Sequence, residues 1–460
     1  MRTLPERAAQ QPELIPLLSH ASPSAVVAYR GGSAITAQRF ISEVTGFAQT
    51  LPPGRHVLNV CADRYRFTVG LAACLITQRV SLLPSTHTPE VIQQLAAFAP
   101  DAFCLTDDSR CEIDLPRVQF PQTLNAAEVE WRPPQIPAEQ LAAIVFTSGS
   151  TGAPLPYRKT WGRVTRCVRD GAPRLHLSDG RSHTLIGTVP AQHMYGFEST
   201  VLLALQSGNA LSADRPFYPA DIAAAVAAVP RPRELVTTPV HLRTLLGSGI
   251  DLPPIDLIVS ATAPLTQQLA REVEARFGAP LLEIYGSTET GQIATRHAAR
   301  SVAWQLWPGV RLHDSHGQVF AQGGHVEQLT PMGDVIEITG DDEFLLHGRT
   351  ADMINVAGKR SSFGYLNAQL NAIPGVLDGA FFLSDAKTGS TAVARLGAVV
   401  VAPTLNVAQL TEQLRRRIDP VFLPRPLLLV SELPRNATGK LPQHALQALT
   451  GQPAKAEDTP

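Results

Sequence analysis

What this sequence has little of narrows its class first. Cysteine is scarce. Cys61, Cys74, Cys104, Cys111 and Cys167 are the only five in 460 residues, with no CxxC pair and no metal-site spacing. An odd, scattered set excludes a disulfide framework and reads as reduced thiols in a cytoplasmic protein. Charge is nearly balanced, with a formal net value of −1, so a broad electrostatic footprint for nucleic acid is absent. The chain holds no run of about 18 apolar residues, and no membrane span is expected. Residues 1–20 carry Arg2, Glu6, Arg7 and Glu13 without an apolar h-region, so no signal peptide is expected either. A Walker A motif is missing too, because no Gly-Lys-Ser/Thr follows the glycine loop near residue 150 at the required spacing.

What is there reads as globular. Hydrophobic residues make up 44% and charged residues 17%, enough for sizeable cores, and the length suggests about three domains. Short apolar runs ("HVLNVCA", "VSLLPS", "AFCLTD", "ELVTTP", "DLIVSA", "LLEIYG") alternate with helical patterns such as "FTVGLAACLITQ" and "PVHLRTLLG". That alternation predicts parallel βαβ units. Thr88-Pro89 is expected to start one helix, and Thr266 and Gly278 to bound another whose Leu269, Val273 and Phe277 share a face. Residues from about 300 to 348 read as short β segments with glycine turns, and residues 350–450 as a separate small α+β unit whose clearest helix is "VAQLTEQLRRRI". The fold class is therefore α/β. It comprises a large N-terminal part of stacked, mainly parallel βαβ sheets plus a β-rich subdomain (1–348), a small α+β part (349–450) and a disordered tail (451–460).

Two small-residue loops carry the chemistry. In "IVFTSGSTGAPLPYRKTW" a strand end, Ile144-Val145-Phe146, runs into Thr147, Ser148, Gly149, Ser150, Thr151 and Gly152. Clustered N–H groups and hydroxyls of this kind suit an anion, phosphate above all; taken alone, a plain Ser/Gly hinge is the alternative. In "EIYGSTETG" a strand ends at Tyr285 and Gly286, Ser287, Thr288 and Glu289 follow. A ring at a strand end can stack on a base, a hydroxyl can bond phosphate, and a glutamate can hold Mg²⁺. Both loops fall at carboxyl ends of strands, where open α/β sheets bind ligands. Further on, Asp334 and Arg349 stand at opposite ends of an apparent hairpin and could both grip a ribose; a surface ion pair is the alternative. "LPRNATGKLP" offers Lys440 on a glycine-containing turn.

Together these segments resemble the adenylate-forming superfamily of acyl- and aryl-CoA synthetases, peptide-synthetase adenylation domains and luciferases. "AVVAYRGGSAITAQRF" is similar to the family's N-terminal entry, "TSGSTGAP" to its phosphate loop and "VPAQHMYGFE" to its substrate gate. "SATAPL" resembles its adenine-side motif and "YGSTET" its nucleotide–magnesium motif. "GD…HGRTADMINVAGKR" and "LPRNATGK" resemble its ribose/hinge segment and C-terminal lysine loop. The segments occur in the family's order across nearly the whole chain.

The resemblance implies that a carboxylic acid is joined to AMP from ATP and then passed to a thiol. Lys440 would stabilise charge between the attacking carboxylate and the α-phosphate. Thr147, Ser148, Ser150, Thr151 and the glycines Gly149 and Gly152 would hold the departing pyrophosphate. Thr288 would bond the α-phosphate, Glu289 would hold Mg²⁺, Tyr285 would stack on adenine and Glu283 would lie near its exocyclic amine. Gly286 and Ser287 complete that motif, and Asp334 and Arg349 would fix the ribose. His193, Tyr195, Gly196, Ala261, Thr262 and Gly286 would line the acid pocket, although a structural role for His193 is the alternative. Rotation of the small domain would bring the segment around Gly358 to the site for the thiol step.

The chain departs from the family pattern in places. Leu155 stands where the phosphate-loop lysine usually follows "TGxP", with Lys159 or Arg158 as candidate replacements. Ala351, with Asp352 next, stands at the usual hinge position, and the chain is shorter than many members. Its "TSGSTGAPLPYRKTWG" and "PAQHMYGFE" forms look most like the short ligases of aryl-polyene and xanthomonadin-type pigment pathways. These activate 4-hydroxybenzoate-like acids for acyl carrier protein. The implied co-substrates are ATP with Mg²⁺ and either CoA or a phosphopantetheinyl carrier protein. Medium-chain fatty or 3-hydroxyacyl acids, a non-catalytic nucleotide-binding homologue, and a free acyl-AMP ligase are the alternatives. Arg415, Arg416, Arg417 and Arg425, or else Arg163, Arg166 and Arg169 on one helical face, could dock an acidic carrier protein; solvated helix faces are the alternative.

Overall fold

The computed structural model describes residues 12–84, 86–124, 126–148, 154–349, 353–356, 359–384, 395–435, 441, 446 and 449. Two large sheets dominate these residues. In the first, Val80–Leu83, His56–Asn59, Phe103–Thr106, Arg117–Gln119 and Leu141–Ser148 run parallel, and Pro154–Thr160 closes one edge antiparallel to Leu141–Ser148. In the second, an eleven-stranded sheet, Leu281–Ser287, Leu257–Ser260, Arg233–Thr237, Thr184–Gly187, Ala210–Ser212 and Val26–Arg30 form a parallel block. Antiparallel strands flank it on both sides, ending in the hairpin of Asp334–Ile338 and Glu343–Arg349. The central strands Val80–Leu83, Phe103–Thr106, Thr184–Gly187, Ala210–Ser212 and Leu257–Ser260 are buried at every position, as helices on both faces require.

The expected βαβ alternation is present, with helices Arg64–Ile76, Pro89–Phe98, Pro239–Ser248 and Gln267–Phe277 between the expected strands. Helix Gln267–Phe277 shows the expected signals: the Thr266 hydroxyl accepts from Leu269 N, and Gly278 ends it at φ +67°. Thr88 does precede helix Pro89–Phe98, but its side chain makes no cap bond there. Helix Arg64–Ile76, between strands His56–Asn59 and Val80–Leu83, starts about one turn earlier than its apolar run. Asp63 caps it by accepting from Arg66 N.

Arg64 ties the second sheet to that helix. It is 1% exposed, and its guanidinium donates to the carbonyls of Gly187 (3.0 Å), Val189 (2.7 Å), Ser212 (3.3 Å) and Asp214 (2.6 Å), at the carboxyl ends of two strands. A side chain at Gly187 would meet that guanidinium at 2.6 Å, so glycine there is a condition of the fit. The C-terminal part is α+β as expected. Helices Phe363–Asn371 and Val407–Arg415 pack on the sheet of Asp378–Ser384, Arg395–Val401 and Leu427–Leu429 around Leu366, Leu370, Phe381, Ala398 and Leu410. Among the described residues no helix is long and apolar enough to cross a membrane, and all five cysteines are free thiols.

Candidate active site

The phosphate-loop segment is the tip of a hairpin. Strand Leu141–Ser148 pairs with Pro154–Thr160 so that Ser148 faces Pro154 and Thr147 faces Leu155. Gly149, Ser150, Thr151 and Gly152 lie outside the described residues, as do Gly358, Ala351, Asp352 and Lys440. An antiparallel strand follows the loop, not a helix.

The magnesium-motif loop sits against this hairpin. Thr288 and Glu289 are the turn between strands Leu281–Ser287 and Gly291–His297. The Ser287 and Thr290 hydroxyls lock the turn: Ser287 N donates to Thr290 Oγ1 and Thr290 N to Ser287 Oγ, each at 3.2 Å. Tyr157, on the return strand, lies on the same face as Thr147 and close to Glu289, and its pKa is raised by burial and then by the Glu289 charge. Thr147 and Glu289, far apart in sequence, thus flank one phenol. Their donor atoms are all oxygen, and among the described residues no cluster of three or more His, Cys, Asp or Glu could cage a metal. That set fits Mg²⁺ arriving with phosphate oxygens, where one carboxylate suffices.

The residues expected on the nucleotide side converge as well. The Tyr285 hydroxyl donates to Asp334 Oδ2 at 2.5 Å, and its half-buried ring leans on Trp304 and Phe344 with centroids 5.5 and 5.6 Å away. Asp334 is directly paired with Arg349 across the expected hairpin. Glu283 is only 4% exposed. Its carboxylate is held by Arg296 at 2.6 Å, whose guanidinium stacks over Trp304 at 4.6 Å, while burial raises the Glu283 pKa against the pull of Arg296. The carboxylate expected near an adenine amine is thus engaged by an arginine that the sequence reading did not single out.

On the acid side, His193 caps the short helix Met194–Gly196, and its Nδ1 accepts from Tyr195 N at 3.3 Å. That bond places the ring proton on Nε2. Tyr195 is buried and donates to Val259 O at 3.0 Å, across the strand leading to Ala261 and Thr262. Thr262 holds φ +78°, a strained state for a β-branched residue. A side chain at Gly196 would stand 2.0 Å from Pro190 O, and one at Gly286 2.3 Å from Gly291 O. Both glycines therefore let backbone approach closely. The chain then enters a π-helix, Phe197–Leu202, a form often found beside functional sites and one for which the sequence carries no signal.

The two replacements for the missing loop lysine do not take its place. Period-two alternation puts Arg158 on the solvent face. Lys159 shares a face with Leu155 but lies four residues further down, about 13 Å at the usual strand rise. It is 1% exposed, and its ammonium donates to the carbonyls of Thr288 and Glu289, the latter at 3.4 Å. Leu155 itself is 48% exposed beside Thr147. The proposed basic face of helix Trp161–Arg174 is also reduced. Arg163 donates to Glu289 O, Arg166 to Gly324 O and Arg169 to Gln206 Oε1.

Comparison with known proteins agrees with this geometry. Residues 19–325, two thirds of the 460, match the model of the AMP-binding enzyme family. The chain is 31% identical to a 4-coumarate–CoA ligase of Rhodobacter capsulatus over 52% of its own length and 60% of that relative's. It is 30% identical to a 4-coumarate–CoA ligase of Halorhodospira halophila over 64% of its length and 73% of that relative's. Its fold is similar to that of ATP-bound MatB from Rhodopseudomonas palustris, with TM-score 0.79 and 19% identity over 94% of this chain and 97% of that one. The chain belongs to the AMP-binding enzyme family, within the adenylate-forming acyl- and aryl-CoA synthetase superfamily.

Proposed function

We propose that this chain is an ATP-dependent acid–thiol ligase. A carboxylate oxygen attacks the α-phosphorus of ATP, the Pα–O bond to the β-phosphate breaks, and pyrophosphate leaves. A thiol then attacks the acyl carbon of the acyl-adenylate, a C–S bond forms and AMP departs. Both partners in the first step are anions, so alignment and charge neutralisation are most of the task. The observation that carries the reading is the Tyr157 side chain standing beside both Thr147 and Glu289. It sets the hydroxyl side of the phosphate loop against the carboxylate that would hold Mg²⁺. Bound there with the nucleotide, Mg²⁺ would neutralise phosphate charge.

Other roles belong to the same reading. Tyr285, bonded to Asp334, would form the base-and-ribose side with Arg349. His193, Tyr195, Gly196, Ala261, Thr262 and Gly286 would line the acid pocket. Lys440 would be the catalytic cation and the Gly358 segment the thiol-step element. Separate cores support a large unit of 1–348 and a mobile small unit of 349–450: the main cores run to Phe344, and those of the small unit begin at Ile354.

For the acid we propose a hydroxylated aryl acid of the hydroxybenzoate kind, supported by the 4-coumarate named for both relatives. CoA is the acceptor those names favour; the phosphopantetheine arm of a carrier protein is the acceptor the pigment-pathway likeness favours. Acid-dependent exchange of labelled pyrophosphate into ATP tests the reading, with a panel of benzoates, cinnamates and fatty acids. Each acid that works is then offered CoA and carrier protein. Hydroxylated aryl acids should drive exchange, and Lys440→Ala should cut it about a hundredfold or more, the scale of a lost transition-state charge contact. Exchange with no acid would leave the chain a nucleotide-binding homologue. Exchange driven only by fatty acids would replace the aryl substrate.

A further inference from the structure

The ammonium of Lys159 does nothing that the motifs assign to it, yet it is buried against the loop that matters most. It comes from the return strand of the phosphate-loop hairpin and donates to the carbonyls of Thr288 and Glu289. Arg163, one turn into the next helix, donates to the same Glu289 carbonyl. In a trans peptide the C=O and N–H point opposite ways. The Lys159 ammonium behind the Thr288 carbonyl therefore turns the Glu289 N–H toward the other side of the loop. A carboxyl group approaches from a third element. Glu198, in the first turn of the π-helix, is 2% exposed and accepts from Cys167 Sγ at 3.4 Å. Lys159 and Glu198 feel each other's charge, and Arg163 and Glu289 act on Lys159 as well.

We infer that Lys159 is a positioning residue for nucleotide binding. It clamps the main chain of the Thr288–Glu289 loop to the phosphate-loop hairpin, so that the two arms of the site hold their spacing when Mg·ATP binds. The inference rests on the ligase reading for its substrate, but its geometry is independent of the missing loop lysine. The rival explanation is that Lys159 only compensates the buried Glu198 carboxylate.

The two explanations part in a pair of variants. Lys159→Met removes the clamp and the counter-charge. Lys159→Met/Glu198→Gln removes the clamp but leaves no buried carboxylate to compensate. Each is assayed below its own melting midpoint by calorimetric binding of Mg·ATP, which needs no acid, and by acid-dependent pyrophosphate exchange. A clamp predicts that both variants bind Mg·ATP about tenfold or more weaker, as misplacement of a site loop does, and that exchange falls mainly through the KM for ATP with the KM for the acid held. Wild-type affinity in the double variant overturns the inference, as does wild-type affinity in Lys159→Met alone. A wild-type chain that binds Mg·ATP but exchanges with no acid defeats the ligase reading, and the dissociation constants still decide the role of Lys159.

Discussion

His325 is buried beside Trp307, with ring centroids 6.2 Å apart, and burial followed by the charges of Arg163 and Lys159 lowers its pKa to about 3. Its ordinary value is 6.5. Between these two values the unfolded chain takes a proton that the folded chain refuses, so this contribution to stability is complete above pH 6.5 and is lost as pH falls toward 3. The urea midpoint of the wild type should therefore fall more steeply from pH 7 to 5 than that of His325→Gln. The difference in slope is bounded by about 1.4 kcal/mol per pH unit for one proton; equal slopes would show that His325 already titrates normally in the native state. Nothing in the local sequence around His325 announces this. The shift arises first from burial in the packed chain and then from cations on a strand and a helix some 160 positions away, at residues 159 and 163.

Elements decide which atoms of a motif are usable. The hydroxyl and glycine content of residues 147–152 was legible as a loop, because small residues after an apolar strand can mean little else. That the loop turns back as an antiparallel strand was not legible, since Pro154 and Pro156 argue against a strand; they are tolerated because this strand forms the sheet's edge. The return strand brings Tyr157 to Glu289 and Lys159 to the carbonyls behind it. Tyr157→Phe deletes the hydroxyl that stands between the two arms of the site. The KM for Mg·ATP should rise about threefold to tenfold, the scale of one hydrogen bond, with the KM for the acid unchanged in steady-state assays. An unchanged KM for Mg·ATP would mean that the shared hydroxyl does not organise the nucleotide site.

Across the whole molecule, the surface of the small C-terminal unit is where the proposed acceptor is tested. Arg415 and Arg416 are exposed at the end of helix Val407–Arg415 and, among the described residues, pair with Glu412, at 3.9 and 3.2 Å. Exposed pairs of this kind are weak, which leaves the cluster able to meet an acidic partner. Arg163, by contrast, is committed inward, so the helix it occupies is the poorer docking face. Reversing the charges at 415–417 should weaken acyl transfer to carrier protein while sparing pyrophosphate exchange and transfer to CoA. Equal loss in both half-reactions, or none, would dismiss docking there.

Sequence alone determined the α/β class, the order of strands and helices, and the positions of the loops, because these follow from apolar periodicity and from the backbone freedom of small residues. It also singled out Tyr285, Asp334, Thr147 and Glu289 as candidate nucleotide residues. Tertiary structure decided which of their partners are already engaged: Glu283 by Arg296, Tyr285 by Asp334, and the Thr288–Glu289 main chain by Lys159. Those pairings join residues from 13 to 130 positions apart, and the sheet register and burial that select them are properties of the packed chain, not of any segment within it.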